Sequence, residues 1–504
     1  MSDGVIARIA AGRDDAPAIS APERQSLTHG GLRALMRRTA GRLNALGIGR
    51  GSRVAIVLPN GPEMATAFVS IACVATTAPL NPAYKDDEFD FYLTDIGANA
   101  IVVGADEEGP AVTSARRNGI AILRLVADAD VPAGQFTIEG DAVGAPMANE
   151  PAQDGDVALL LHTSGTTSRP KLVPLTHANL AASARHIGGT LALTPDDRCL
   201  NIMPLFHIHG LIAAVLSSLG AGGSVFCTPG FNALRFFHWL GEAKSTWYTA
   251  VPTMHQAILT RAARNTETIA AAKLRLIRSS SASLPAQVMA ELEQTFGCPV
   301  IESYGMTEAA HQMTSNPLPP RARKPGSVGI AAGPEVAIMA EGGKILPIGM
   351  PGEIVIRGPN VTSGYEKNPT ANDTAFAHGW FHTGDQGTMD EEGYARVTGR
   401  LKEIINRGGE KISPLEVDEV LMDHPAVAQV VTFAMPHEKL GEEVAAAIVL
   451  REGNHATEQA IREFAAERLA DFKVPRRVVI LDEIPKGATG KLQRIGLAQK
   501  LGLG

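Results

Sequence analysis

Short apolar runs bounded by turn residues recur along the first half of the chain. "RVAIVLP" (Arg53–Pro59) lies between Gly51 and "NGP", and "AIVVG" (Ala100–Gly104), "VALLLH" (Val157–His162), "GSVFCT" (Gly223–Thr228) and "STWYTAV" (Ser245–Val251) have the same form. Continuous apolar runs of this length read as buried strands. "EMATAFVSIACVA", after the first run, has helical length and composition. The most apolar stretch, Met64–Leu80, reads as a buried helix: it is short for a membrane span, carries Ser and Thr, and meets Pro79. Strand followed by helix, repeated, predicts α/β layers on parallel strands.

Past Gly343 the texture changes. "GEIVIRG" (Gly352–Gly358) and "EGYARVTGR" (Glu392–Arg400) are short strands between turn residues, which predicts a small β-rich module. Ala428–Leu450 reads as strand, polar loop, strand, and "TEQAIREFAAERLA" as an amphipathic helix. Ala127–Asp154, rich in Ala, Gly, Pro and acids, reads as loop or sheet edge. A boundary near Gly399–Lys402 divides the chain into residues 1–400 and 401–504.

Composition narrows the function class. The chain has 504 residues, is 45% hydrophobic and 20% charged, and carries a formal net charge of −7 with no basic stripe. Those values fit a soluble globular protein and argue against a nucleic-acid partner. The four cysteines lie far apart with no CxxC pattern, and read as reduced core thiols. No signal-peptide pattern and no peroxisomal tripeptide is visible, so a cytoplasmic protein without a membrane partner is expected, as monomer or homodimer.

The run Val157–His162 leads straight into "TSGTTSRPK". Thr163, Ser164, Gly165, Thr166 and Thr167 are small or carry hydroxyls, and Lys171 follows Pro170. Such a loop lets backbone N–H groups and hydroxyls face a phosphate chain, and lysine adds a compact positive charge. It is not the G-x-x-x-x-G-K-[ST] loop, because Pro170 stands where the second glycine would.

Four more stretches carry candidate chemistry. "ESYGMTEAAH" (Glu302–His311) offers an aromatic face at Tyr304, a hydroxyl at Thr307 and a carboxylate at Glu308 suited to Mg²⁺. "FHTGDQG" (Phe381–Gly387) sets Asp385 in a glycine-flanked turn, where it could accept from both ribose hydroxyls. "TGRLKEIINRGGEKISPLEVDEVL" (Thr398–Leu421) supplies Arg400, then Lys402 at the junction, then the Gly408–Gly409 turn. "PKGATGKLQR" (Pro485–Arg494) carries Lys491. Singly, each also fits a plain loop, a capping pair, an Asx-turn or a solvated lysine.

In number and order these motifs resemble the adenylate-forming enzymes, the superfamily of acyl-CoA synthetases, nonribosomal adenylation domains and firefly luciferase. The resemblance runs from "LTHGGLRALMRRTAGRLNALGIGRGSRVAIVLPNGPE" to "PKGATGKLQR". It implies a large N-terminal domain of layered α/β subdomains with a small β-rich module, and a small mobile α+β C-terminal domain. It also implies a two-step reaction. A carboxylate attacks the α-phosphate of MgATP to give acyl-AMP and diphosphate, and the CoA thiol then displaces AMP. By motif match, Thr163–Thr167 and Lys171 would hold the phosphates, Tyr304 would stack on adenine with Ser303 beside it, and Thr307 would meet the α-phosphate. Glu308 would hold Mg²⁺, and Asp385 and Arg400 the ribose. Lys491 would bridge the attacking carboxylate and the α-phosphate. Arg407, Gly408 and Gly409 would face the CoA channel after a rotation about Lys402.

Ser168 and Arg169 of the loop, with "MPLFHIHGL", "RSSSASL", "MTEAAHQMTSNPLPP" and "NRGGEKISP", look most like the oxalate–CoA ligases within that superfamily. Gly305, where that subgroup often has alanine, and Gly487 are small departures. In the family, the loop after "LRLIR" and the segment after "TE" line the acyl pocket, which here gives Ser279–Ser281 and His311, with His207 and His209 nearby. A second carboxylate needs donors or cations, and Ser281, His311 and His207 are expected to supply them. Arg278 is a further cation, but it ends a strand whose neighbours alternate, which can aim it away. Malonate or a short- or medium-chain fatty acid stays open as the acid. A non-catalytic nucleotide-binding protein is the alternative from another class.

Overall fold

The computed structural model describes residues 12–128, 130–148, 150–163, 170–485 and 492–504. Two large sheets and a smaller one make up the N-terminal part. The first sheet has seven strands in the spatial order Thr137–Glu139, Ala121–Val126, Ala100–Gly104, Arg53–Val57, Thr76–Pro79, Val157–His162, Leu172–Thr176. Its five central strands are parallel, and both edges are antiparallel. Ala100–Gly104 and Val157–His162 match the expected runs residue for residue, because a strand covered on both faces is apolar from end to end.

The second sheet has nine strands, ordered Ile330–Ala331, His311–Ser315, Val300–Met306, Leu276–Ser279, Trp247–Ala250, Arg198–Asn201, Ser224–Cys227, Pro17–Ser20, Leu27–Thr28. Helices buried all round lie between the two sheets. Pro62–Ala72 is one, with Pro62 in its first turn, and His209–Leu216, a π-helical segment, is another. Their side chains join both sheets in one core. Met64–Leu80 is therefore only partly helical: the helix ends at Ala72, and Thr76–Pro79 is a strand beside Arg53–Val57. Thr76 and Thr77 satisfy their buried hydroxyls on the carbonyls of Val157 and Ala158.

The third sheet is antiparallel, in the order Glu335–Met339, Gly352–Arg357, Phe381–Met389, Ala395–Arg400. A final five-stranded sheet starts at Ile405. It is ordered Glu410–Ile412, Ile405–Arg407, Gly441–Leu450, Val427–His437, with Arg477–Ile480 parallel to Gly441–Leu450. Gly408 (φ 60°) and Gly409 (φ 102°) close the hairpin Ile405–Ile412 with two left-handed residues, a conformation that favours glycine at both positions. The expected amphipathic helix is Glu458–Ala466, capped by the Thr457 hydroxyl, which accepts from Ala460 N at 3.2 Å.

Helix Pro414–Met422 docks on the second sheet's outer layer. Val417, Leu421 and Met422 share one apolar cluster with Val288, Met289, Leu292 and Phe296 of helix Ala286–Phe296. Gln256 Nε2 donates to the Ala428 carbonyl at 3.0 Å across the same seam. All four cysteines are buried and free. Among the described residues no helix is long and apolar enough to cross a membrane.

Candidate active site

The phosphate-loop candidate closes a β-hairpin. Thr163 N donates to the Lys171 carbonyl at 2.9 Å, and Lys171 N to Thr163 Oγ1 at 3.3 Å. Residues 164–169 between them, including Ser164, Gly165, Thr166 and Thr167, lie outside the described residues, as does Lys491. The Lys171 ammonium sits over the Tyr365 ring, 4.3 Å from its centroid. The Tyr365 hydroxyl donates to Glu308 Oε1 at 2.8 Å. Burial pushes the Glu308 carboxyl above its usual range, against the pull of the Tyr365 bond, Arg400 and Lys171. Burial lowers Lys171, with Glu308 opposing and Lys402 adding to the effect. Tyr365 lies outside every motif singled out in the sequence. Its role is visible only where the chain brings it across to Glu308.

"ESYGM" is strand rather than loop: Val300–Met306 runs on to a single 3₁₀ turn, Thr307–Ala309, which carries Thr307 and Glu308. Asp385 is likewise not in a turn. It lies within the strand Phe381–Met389, where burial alternates, paired with Arg400 on the neighbouring strand. The flanking Gly384 and Gly387 are accommodated within the strand. Asp385 Oδ1 meets Arg400 Nε at 3.1 Å, and Oδ2 accepts from the Tyr304 hydroxyl. Asp385 raises the Arg400 guanidinium further, and burial pushes the Tyr304 hydroxyl up. A carboxylate has about four lone-pair positions, so a ribose diol can share these oxygens with Tyr304 and Arg400. Ser303 is tied into the sheet, its carbonyl accepting from Ser280 Oγ at 2.9 Å.

A second polar cluster gathers around His209. His209 Nδ1 is 3.0 Å from Ser281 Oγ, and its Nε2 is 2.6 Å from Thr249 Oγ1. The His209 and His311 rings lie 4.8 Å apart, tilted by 31°. Arg278 Nη1 faces His311 Nε2 at 3.2 Å and His209 Nε2 at 3.5 Å. The histidine that bonds Ser281 is thus His209. His207, half-buried against Phe206, is two residues upstream, at the approach to the π-helical segment. Arg278 is in the cluster rather than aimed away from it. Its strand is a central parallel one with protein on both faces, so alternation gives it no solvent side. Ser281 (φ 74°) and His311 (φ 104°) both hold left-handed backbone, at a cost of about 1–3 kcal/mol each. Strain at both polar residues of one cluster is a mark of a functional site. Gly305 packs on His311 so closely that a Cβ would lie 1.8 Å from the His311 carbonyl oxygen. An alanine there would need this hairpin to shift.

On the opposite face of the same strand, Glu302 is buried, with Oε1 accepting from Leu284 N at 2.8 Å and Oε2 without a partner among the described residues. Burial raises its carboxyl to about 8. The folded protein therefore keeps a proton that the unfolded chain loses at about pH 4.5, and this group's contribution to stability falls as pH rises from there to about 8. Glu302→Gln is expected to flatten that slope and to raise stability at pH about 8.5 by on the order of a few kcal/mol. Denaturation midpoints across the range from about pH 5 to about pH 9 check it; parallel wild-type and variant curves contradict it.

Lys402 is exposed in the turn between Arg400 and Ile405. Next to it, Glu403 Oε2 lies 3.4 Å from Arg494 Nε, and Arg494 Nη2 pairs with Asp418 at 2.6 Å. The chain just after Lys491 is thereby tied to the junction. Arg407 Nε donates to Glu443 Oε1 at 2.6 Å, beside the two hairpin glycines.

The AMP-binding enzyme family model matches residues 6–366, and the model of the AMP-binding enzyme C-terminal domain matches residues 416–491. An oxalate–CoA ligase of Arabidopsis thaliana is 47% identical over 505 residues, covering 98% of both chains. An oxalate–CoA ligase of Saccharomyces cerevisiae is 42% identical over 480 residues, 89% of this chain and 87% of its own. The crystal structure of ATP-bound MatB from Rhodopseudomonas palustris superposes with a TM-score of 0.88 at 30% identity, covering 100% of this chain and 98% of its own. With two matched regions that together take in Lys171, Glu308 and Tyr365 on one side and Arg494's partner Asp418 on the other, the chain belongs to the AMP-binding enzyme family.

Proposed function

We propose that this chain is an ATP-dependent oxalate–CoA ligase. Oxalate attacks the α-phosphate of ATP to give oxalyl-AMP and diphosphate, and the CoA thiol then displaces AMP to give oxalyl-CoA. The observation that carries the choice of acid is the polar cluster of Ser281, His209, His311 and Arg278: a long alkyl chain would want apolar lining. The likeness to two oxalate–CoA ligases supports the same acid.

In this reading Thr163–Thr167 and Lys171 hold the phosphates. Tyr304 stacks on adenine beside Ser303, Asp385 and Arg400 bind ribose, and Thr307 meets the α-phosphate. Lys491 places positive charge where the attacking carboxylate and α-phosphate gather negative charge, which lowers the barrier. Glu308 fits a Mg²⁺ ligand, because it is a buried carboxylate whose charge is under-compensated. Mg²⁺ takes most of its oxygens from phosphates and water, so one protein carboxylate is enough for it at such a site. Bound there, Mg²⁺ would neutralise phosphate charge. Residues 401–504 would then rotate about Lys402, bringing Arg407, Gly408 and Gly409 to the CoA channel. The four buried free thiols suit a cytoplasmic setting.

The test is diphosphate–ATP exchange without CoA. Oxalate is expected to drive exchange; exchange driven by a fatty acid and not by oxalate would contradict the proposal.

A further inference from the structure

Residues 362–366 run between the turn that carries Glu308 and the hairpin strand that follows Lys171. Thr362 N donates to the Glu308 carbonyl at 2.8 Å, Thr362 Oγ1 to the Pro174 carbonyl at 2.6 Å, and Glu366 N to the Leu172 carbonyl at 2.9 Å. The Glu366 carboxylate is held in turn by Arg53, at 2.8 and 3.0 Å. Between these anchors Tyr365 is 7% exposed. Asn372 clasps its backbone: Oδ1 accepts from Tyr365 N at 2.7 Å, and Nδ2 donates to the Tyr365 carbonyl at 2.9 Å. A tyrosine fixed in this way presents its ring and its hydroxyl in one defined place.

That place is between two opposite charges. The Lys171 ammonium sits over the ring at 4.3 Å, and the hydroxyl donates to Glu308 Oε1 at 2.8 Å. Lys171 and Glu308 are close enough to act on each other, yet no hydrogen bond or ion pair joins them among the described residues. In a site with little water a direct pair would be strong. It would occupy ammonium protons and carboxylate oxygens that a phosphate and a cation need. Tyr365 gives each charge a partner that leaves it usable. The ring attracts the ammonium by its face, so the outer N–H groups point away from it. The hydroxyl takes one of about four lone-pair positions on the carboxylate.

We propose that Tyr365 is a positioning residue of the phosphate and Mg²⁺ site: it holds Lys171 and Glu308 in place and apart, so that they do not pair with each other before MgATP arrives. The proposal rests on the reading given above of Lys171 as a phosphate ligand and Glu308 as a Mg²⁺ ligand. Tyr365 acts through both of them. Its hydroxyl serves the metal side and its ring the phosphate side, and the two roles separate by substitution.

The experiment is equilibrium binding of α,β-methylene-ATP, which cannot release diphosphate, by calorimetry in saturating Mg²⁺ and in EDTA. Wild type is expected to bind more tightly with Mg²⁺. Tyr365→Phe keeps the ring and loses the bond to Glu308. Its Kd should rise about 10-fold in Mg²⁺ and hold in EDTA. Tyr365→Leu lets Lys171 and Glu308 meet, so its Kd should rise about 10-fold or more in both. Glu308→Gln then frees the lysine. In EDTA it should improve binding about 10-fold more in the Tyr365→Leu background than in wild type, an excess that a merely structural tyrosine would not produce. A wild type that binds equally with and without Mg²⁺ overturns the Mg²⁺-site reading itself. A wild type that responds to Mg²⁺ while Tyr365→Phe loses affinity in both conditions or in neither overturns the role of Tyr365 alone, as does an equal gain from Glu308→Gln in both backgrounds. Should Tyr365→Leu fail to fold, Tyr365→Phe decides by the same criterion.

Discussion

Lys491→Ala is expected to slow oxalyl-adenylate formation by about 10²–10³-fold. The first half-reaction gathers charge between an attacking carboxylate and an α-phosphate that is already anionic. A fixed cation at that point is worth more in the transition state than in the ground state, so the loss should fall on kcat and leave the KM for ATP little changed. Lys491→Gln should behave like the alanine variant, because the charge rather than the length matters. Thioester formation from supplied oxalyl-AMP should stay within a few-fold of wild type, since in the proposed mechanism that step does not use the lysine. Rapid-quench measurement of the two halves separately checks this. Equal losses in both halves would mean that the lysine supports the C-terminal domain rather than the chemistry.

His311→Ala is expected to lower kcat/KM for oxalate by about 100-fold, with the KM for ATP unchanged. The ring is buried, faces Arg278 at 3.2 Å and stands beside Gly305. On the proposed reading its removal takes away one donor to the distal carboxylate and leaves Arg278 with a lost acceptor, so the effect combines a missing charge-assisted hydrogen bond with a disturbed electrostatic setting. Ser281→Ala should act in the same direction and less strongly, because a hydroxyl removed from a half-buried site can be replaced by water. Steady-state kinetics with each substrate varied in turn checks both. A parallel rise in the KM for ATP would move His311 out of the acid pocket.

The strands of the first sheet are legible because burial on both faces writes an uninterrupted apolar run, as in Ala100–Gly104 and Val157–His162. The same property hides Arg278. In a central parallel strand both faces are interior, so alternation cannot say whether a residue meets solvent, core or site. Asp385 reads as a turn residue because glycines flank it, whereas the antiparallel sheet absorbs them in a strand of alternating burial. His209 and His207 flank a single isoleucine, and only the onset of the helical segment at His209 decides which ring meets Ser281. Tyr365 leaves no local signal, since its hydroxyl reaches Glu308 across 57 residues of chain.

The most direct test is CoA-dependent AMP formation from MgATP across one panel of acids: oxalate, malonate, succinate, acetate, hexanoate and dodecanoate. Oxalate is expected to lead every other acid in kcat/KM. Hexanoate or dodecanoate ahead of oxalate would contradict the polar-pocket account, and no AMP from any acid would contradict the ligase reading as a whole.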